Sequence, residues 1–153
     1  PCMATLTEDD LRLFVDAVKH HLKATTGHEP GITSAFLGDT NLTGHGFNGI
    51  VSFMGGYSGQ ILVSMPQGML RELLVLQHER DFSESSLLDA VGEVANTLVG
   101  NARKVFGPAL NISVPTRLRG AQGITARVRQ RPYVITFRWN RYPALVCVDL
   151  ERC

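Results

Sequence analysis

The chain has 153 residues, 44% of them hydrophobic and 19% charged, with a net charge of +1. That suits one domain over 1–153, since a chain of this size buries roughly 70% of the surface it exposes when unfolded. No apolar run approaches the roughly 20 residues needed to cross a bilayer, no basic and then apolar leader opens the chain, and Cys2, Cys147 and Cys153 do not suggest a disulfide framework. The expectation is a cytoplasmic protein with reduced thiols and no membrane partner.

The charge is unevenly spread. Residues 1–100 carry 5 basic and 12 acidic side chains, a net of −7, and residues 101–153 carry 10 basic and 2 acidic, a net of +8. Arg127, Arg129 and Arg131 alternate, so on an extended segment they share one side. No aromatic residues are interleaved with them, so an acidic protein surface is a better partner than nucleic acid, and no nucleic acid is expected.

In chain order, Thr7 with an acid three residues later resembles a capping box, and Leu11, Phe14, Val15, Val18 and Leu22 follow at helical spacing, predicting a helix over 7–25. His20, His21 and His28 near its end do not converge as metal ligands must, so no metal site is expected. Residues 32–37 read as a strand. Phe47, Val51 and Phe53 mark a second strand and 60–65 a third, with the glycine cluster of 55–59 as the turn of an antiparallel hairpin. That cluster lacks the ending of a phosphate-binding loop. Pro66 opens a second helix that continues to about Glu79.

Residues 85–106 carry the strongest signal. Leu87, Leu88, Val91, Val94, Ala95, Leu98, Val99, Ala102, Val105 and Phe106 recur every three or four positions, which defines a long amphipathic helix with Ser83 or Ser85 as its cap. Asp89, Glu93, Asn96, Gly100 and Arg103 form a polar stripe on the other side, where Glu93 and Asn96 are near neighbours. Gly92 and Gly100 sit inside the helix although each costs roughly 1 kcal/mol relative to Ala, which points to something approaching the backbone closely. After Gly107-Pro108, residues 112–118 read as a strand. Tyr133, Ile135, Phe137 and Trp139 then alternate, as do Ala144, Val146, Val148 and Leu150, giving a second hairpin around residues 140–143. The sum is an α+β domain: a mostly antiparallel sheet of about six strands with helices on one face.

A carboxylate and a carboxamide one turn apart often belong to an ordinary solvated helix face. They also suit one kind of chemistry. An amide donates and accepts hydrogen bonds and so can hold a water without deprotonating it, and in phosphoryl transfer aligning the nucleophile supplies much of the catalysis.

Asp89, the single Glu93-Val-Ala-Asn96, the following Val99-Gly-Asn-Ala-Arg103 and the later Ile112-Ser-Val-Pro-Thr116 resemble the CheC/CheX/FliY chemotaxis phosphatases. The single Glu-x-x-Asn is most similar to CheX, since CheC usually has two, and Pro115 stands for the family's proline at the head of a following strand. The resemblance implies a CheC-like fold and a phosphatase acting on the phosphoaspartate of a CheY-like response regulator. Asn96 would place the attacking water and Glu93 would engage the partner's lysine. Asp89 would contact the partner, and to this our own reading of the residues adds Gly92 and Gly100, which would let the partner's surface come close, and Arg103 and Lys104, which would meet its acidic rim. The resemblance also implies no cofactor of the protein's own, Mg²⁺ on the receiver, and a homodimer. The arginine-rich segment 117–131 matches no hallmark of the family. A non-catalytic receiver-binding adaptor and a nucleic-acid binder using the arginine-rich half remain the alternatives.

Overall fold

The computed structural model describes residues 4–5, 7–37, 43–107, 110–120 and 132–152. The first helix, α1 (Glu8–Thr26), begins with the expected capping box. The Asp10 N–H donates to Thr7 Oγ1 at 3.2 Å and the Thr7 N–H donates to Asp10 Oδ2 at 3.0 Å. Gly27 ends the helix in the left-handed region, with φ of 83°.

The strands are β1 (Ala4–Thr5), β2 (Gly31–Leu37), β3 (Phe47–Gly55), β4 (Tyr57–Met65), β5 (Leu110–Ile112), β6 (Thr116–Arg119), β7 (Tyr133–Trp139) and β8 (Tyr142–Arg152). Among the described residues they form one sheet in the order β2-β7-β8-β4-β3-β5, with β6 also on β3 and β1 on β8, and every pairing is antiparallel. Both predicted hairpins are present. Phe53 faces Gly59 across the first, and Trp139 faces Tyr142 across the second, whose two-residue turn puts Asn140 at φ of 57°.

Two details differ from the sequence reading. The strand expected over 112–118 is two short ones, broken at 113–115, where the Ser113 side chain accepts from the Ser52 N–H and its N–H donates to the Ser52 carbonyl. The two-residue β1 has too short a pattern to announce itself. The alternating arginines at 127, 129 and 131 lie outside the described residues.

Helices α2 (Gln67–Leu76) and α3 (Glu84–Phe106) complete the fold. Phe14, Val18 and Leu22 of α1, Met69, Leu70 and Leu73 of α2, and Val91, Ala95, Leu98 and Val99 of α3 are buried in one core with Phe47, Val51, Phe53, Ile61, Val63, Ile135, Phe137 and Val146 of the sheet. The helices therefore cover one face, as the sequence predicts. The opposite face carries a smaller buried cluster of Ile50, Leu62, Val134, Leu145 and Cys147.

What seats α3 is an absence of side chain. A Cβ on Gly49 of β3 would lie 2.6 Å from the Val91 carbonyl oxygen and 3.2 Å from the Ala95 Cβ, so only glycine lets this helix settle on the strand. The second hairpin is tied down at its turn: Glu72 of α2 accepts from Tyr142 Oη at 3.0 Å and from Asn140 Nδ2 at 3.1 Å.

Candidate functional site

Helix α3 begins where the sequence placed it. Ser83 is the cap, accepting from the Ser86 N–H at 3.3 Å. With Val91, Val94, Ala95, Leu98 and Val99 held in the core, the helical period forces Asp89, Glu93 and Asn96 outward, and all three are exposed. Glu93 and Asn96 are three residues apart, about 4.5 Å along the axis, and project from neighbouring positions on the surface. Arg103 and Lys104 are also exposed, about two turns further on.

The two glycines of the helix have different surroundings. A Cβ on Gly100 would meet no heavy atom of the described residues within 4 Å outside its own helix backbone. Gly92 is buried: a Cβ there would lie 3.0 Å from both Cγ and Cδ of Arg117 and 3.6 Å from Cβ of Pro115. The neighbour that comes close to Gly92 is thus this chain's own Arg117.

Why Arg117 lies there follows from register. Gly49 faces Arg117 and Phe47 faces Arg119 across the β3–β6 ladder, and successive side chains of a strand point to opposite faces. Arg117 and Arg119 therefore project toward α3, while Leu118 packs against the cluster on the far face. Arg117 ion-pairs with Asp89, and Arg119 Nη1 lies 3.8 Å from Glu84 Oε1 with its guanidinium over the Phe47 ring at 4.3 Å. Asn48, only 3% exposed, fixes the end of β6 by donating from Nδ2 to the carbonyls of Leu118 at 3.2 Å and Gly120 at 2.7 Å. The sequence reading noted Arg117 only as the start of the arginine-rich segment 117–131 and gave it no place at the site, although Thr116-Arg-Leu-Arg119 carries the strand alternation that announces it.

The Asp89 and Arg117 side chains are 53% and 48% exposed, and a pair so open to water contributes at most about 1 kcal/mol. Gly92 costs about as much relative to Ala. Stability alone gives little reason for the arrangement.

On the other side of Glu93 a cavity of about 180 Å³ is lined by Leu74, Gln77, Glu79, Asp81, Ser86, Asp89, Ala90 and Glu93. Hydrogen bonds, chiefly from the Ser83 backbone N–H and then from the Ser86 and Ser83 side chains, hold the Asp81 carboxyl below its usual range. Glu79 and Asp81 were not among the expected site residues. They reach the groove because α2 ends at Leu76 and the chain then turns through a left-handed His78, φ 62°, where the Glu79 N–H turns back to the Leu74 carbonyl at 2.9 Å.

Chemically the stripe offers an exposed amide beside an exposed carboxylate, flanked by further acids and by one arginine laid across the helix. Among the described residues, no group of three or more His, Cys, Asp or Glu side chains is placed to hold a metal ion, and no helix is long and apolar enough to cross a membrane.

Comparisons with known proteins bear on the family and the fold. A family model described as "Chemotaxis phosphatase CheX" matches residues 47–138, a span that includes β3, all of α3 and most of β7. Nothing matches among curated protein sequences. Among solved structures, a CheC-like superfamily protein from Shewanella sp. PV-4 superposes with a TM-score of 0.80 at 18% identity, covering 95% of this chain and 99% of its own. The chemotaxis protein CheX from Vibrio vulnificus gives 0.78 at 17%, covering 94% and 99%. A CheX–CheY–BeF3–Mg²⁺ complex from Borrelia burgdorferi gives 0.77 at 18%, covering 95% and 100%. At such identities the likeness speaks for the fold, which is CheC-like. The family is shown by the sequence model that covers well over half of the chain: this protein belongs to the CheX family of chemotaxis phosphatases.

Proposed function

We propose that this protein removes phosphate from the phosphoaspartate of a CheY-like response regulator. The observation that carries the reading is the exposure of Glu93 and Asn96 on adjacent turns of one anchored helix, in a chain of a phosphatase family. The crystallised complex of a structural relative with CheY supports the choice of partner.

In the reaction, the Asn96 carboxamide hydrogen-bonds a water and holds it in line with the phosphorus. The water oxygen forms a bond to phosphorus as the acyl P–O bond breaks. The electron pair leaves with the aspartate carboxylate, and the phosphate departs as dihydrogen phosphate, carrying the oxygen and both protons of water. The transition state is loose and needs little activation of the nucleophile, so an amide that only orients it suffices. Glu93 holds a lysine of the receiver by a charge-assisted contact, which fixes the register of the two proteins. The Mg²⁺ belongs to the receiver, and this chain brings no cofactor.

Arg103 and Lys104 meet the acidic rim of the partner, and Gly100 leaves its surface room to approach. The protein acts as a homodimer in the cytoplasm. Strand β2 is the outermost in the order of described strands, with Ser34, Ala35 and Phe36 exposed and no charged residue along it, the kind of edge that pairs with another chain. Sedimentation showing only monomer at micromolar concentration would remove that part of the reading.

The deciding experiment measures phosphate release from phosphorylated receivers of the same organism, with wild-type protein and with Asn96→Ala. Acceleration by the wild type alone is expected. Equal acceleration by both ends the proposal, and binding without acceleration makes the protein an adaptor.

A further inference from the structure

Arg117 of β6 passes across α3. Three features act together to bring it there. Gly49 leaves the β3 position opposite Arg117 without a side chain. Gly92 leaves the helix surface flat where the Arg117 stem crosses. Asp89, one turn before Glu93, receives the guanidinium. A Cβ at position 92 would press on the Cγ and Cδ of Arg117 at 3.0 Å, so a side chain there pushes the Arg117 stem outward by a few tenths of an ångström.

The surroundings are acidic. Asp89 and Glu93 stand on the stripe, and Glu79 and Asp81 line the groove beside it. A phosphorylated partner presents an anion to this same surface, and like charges at close range oppose docking. A cation laid over the turn that carries Glu93 offsets that repulsion.

We propose that Arg117 is a positioning residue of this site. Held across Gly92 and tethered to Asp89, it neutralises the stripe so that the anionic receiver can seat its phosphoryl group against Asn96. This rests on the phosphatase reading and adds a residue to it. Gly92 then serves to make room for Arg117 within the chain, and the partner meets the arginine in place of bare helix backbone.

The test is steady-state dephosphorylation of a CheY-type receiver, phosphorylated by a small-molecule phosphodonor, using wild-type protein, Arg117→Ala, Arg117→Lys, Gly92→Ala and the Gly92→Ala/Arg117→Ala double variant, each with its melting temperature. Arg117→Ala should raise KM about three- to tenfold, the size of one partly exposed charged contact, with kcat nearly unchanged. Arg117→Lys should recover most of that loss, because the charge remains. Gly92→Ala should raise KM in the same direction but by less, while melting no lower than the wild type, and the double variant should be no worse than Arg117→Ala alone. The differences should shrink at high salt.

Unchanged KM in both Arg117→Ala and Gly92→Ala overturns the inference, as does a fall in kcat with KM unchanged. If Arg117→Ala does not fold, Gly92→Ala decides. A wild-type protein that does not accelerate release removes the phosphatase reading and this inference together, whereas an active wild type with unaltered variants removes this inference alone.

Discussion

The two halves of α3 are one continuous helix with one amphipathic pattern, yet they lie in different environments. The first half, to Asn96, is flanked by the arginines of β6 on one side and by the groove at the end of α2 on the other. The second half has Gly100, with no described residue above it, and carries exposed Arg103 and Lys104 near its end. Glycine is the same residue in both, but at position 92 its missing side chain is filled by Arg117, and at 100 it is filled by nothing in the described chain. The comparison teaches that a helix interior glycine is explained by what lies above it. Chemistry is expected where neighbouring elements converge on the helix, and plain surface contact where they do not.

The sharpest way to break this contrast is at Asn96. Asn96→Ala should lower the acceleration of receiver dephosphorylation by about 10²-fold, the usual cost of removing one preorganised hydrogen-bonding group from a reaction site, whereas Thr97→Ala, one residue into the other half, should change it little. Phosphate-release kinetics on the two variants check this, and equal losses would refute the division of the helix.

Gly49→Ala attacks the seat of the first half. Its Cβ would meet the Val91 carbonyl, which is backbone and cannot swing aside, so the variant should lose about 1–3 kcal/mol of stability, a fall of several degrees in melting temperature for a chain of this size. A thermal melt showing no loss would mean that α3 is not held down at this point.

A finer comparison sets Gly92→Ala against Gly100→Ala. At 100 the new methyl has open space, so the higher helix propensity should stabilise by up to about 1 kcal/mol. At 92 the same gain is offset by displacing Arg117, and the net change should be smaller. Chemical denaturation of both resolves the difference, and identical gains would show that Arg117 does not press on residue 92.

The smallest effect is a control on the scaffold. Burial holds His21 below its ordinary value near 6.5, with the charge of His20 adding to it, and burial alone lowers His45. The folded state then binds fewer protons than the unfolded one over the interval between the lowered values and 6.5. The contribution of these groups is fully present above about pH 6.5 and is lost as pH falls toward their folded values. Melting temperature should decline modestly from pH 7.5 to 5. His21→Gln should flatten the curve, and because neither histidine is on α3, both halves of that helix should respond alike.

Much of this molecule was legible from local pattern. The Thr7 capping box, the two hairpin turns and the whole of α3 with its polar stripe follow from spacing and turn chemistry, which act over a few residues and need no knowledge of the rest of the chain. The break between β5 and β6 was not legible, because it depends on Ser113 bonding Ser52 some sixty residues earlier. Nor was the groove, since Glu79 and Asp81 reach Glu93 only through the left-handed end of α2. Gly92 was singled out as a place of close approach, but what approaches is decided by a register.

The sequence by itself determined which residues α3 buries and which it turns outward, because helical periodicity against a hydrophobic core leaves one solution for Glu93 and Asn96. Only the tertiary structure decided what surrounds them. The pairing of β6 with β3 brings Arg117 over Gly92, and the bend after α2 brings two more carboxylates to the same turn. Those are contacts between segments far apart in the chain, set by strand register and by the space that Gly49 leaves, and no local pattern encodes them.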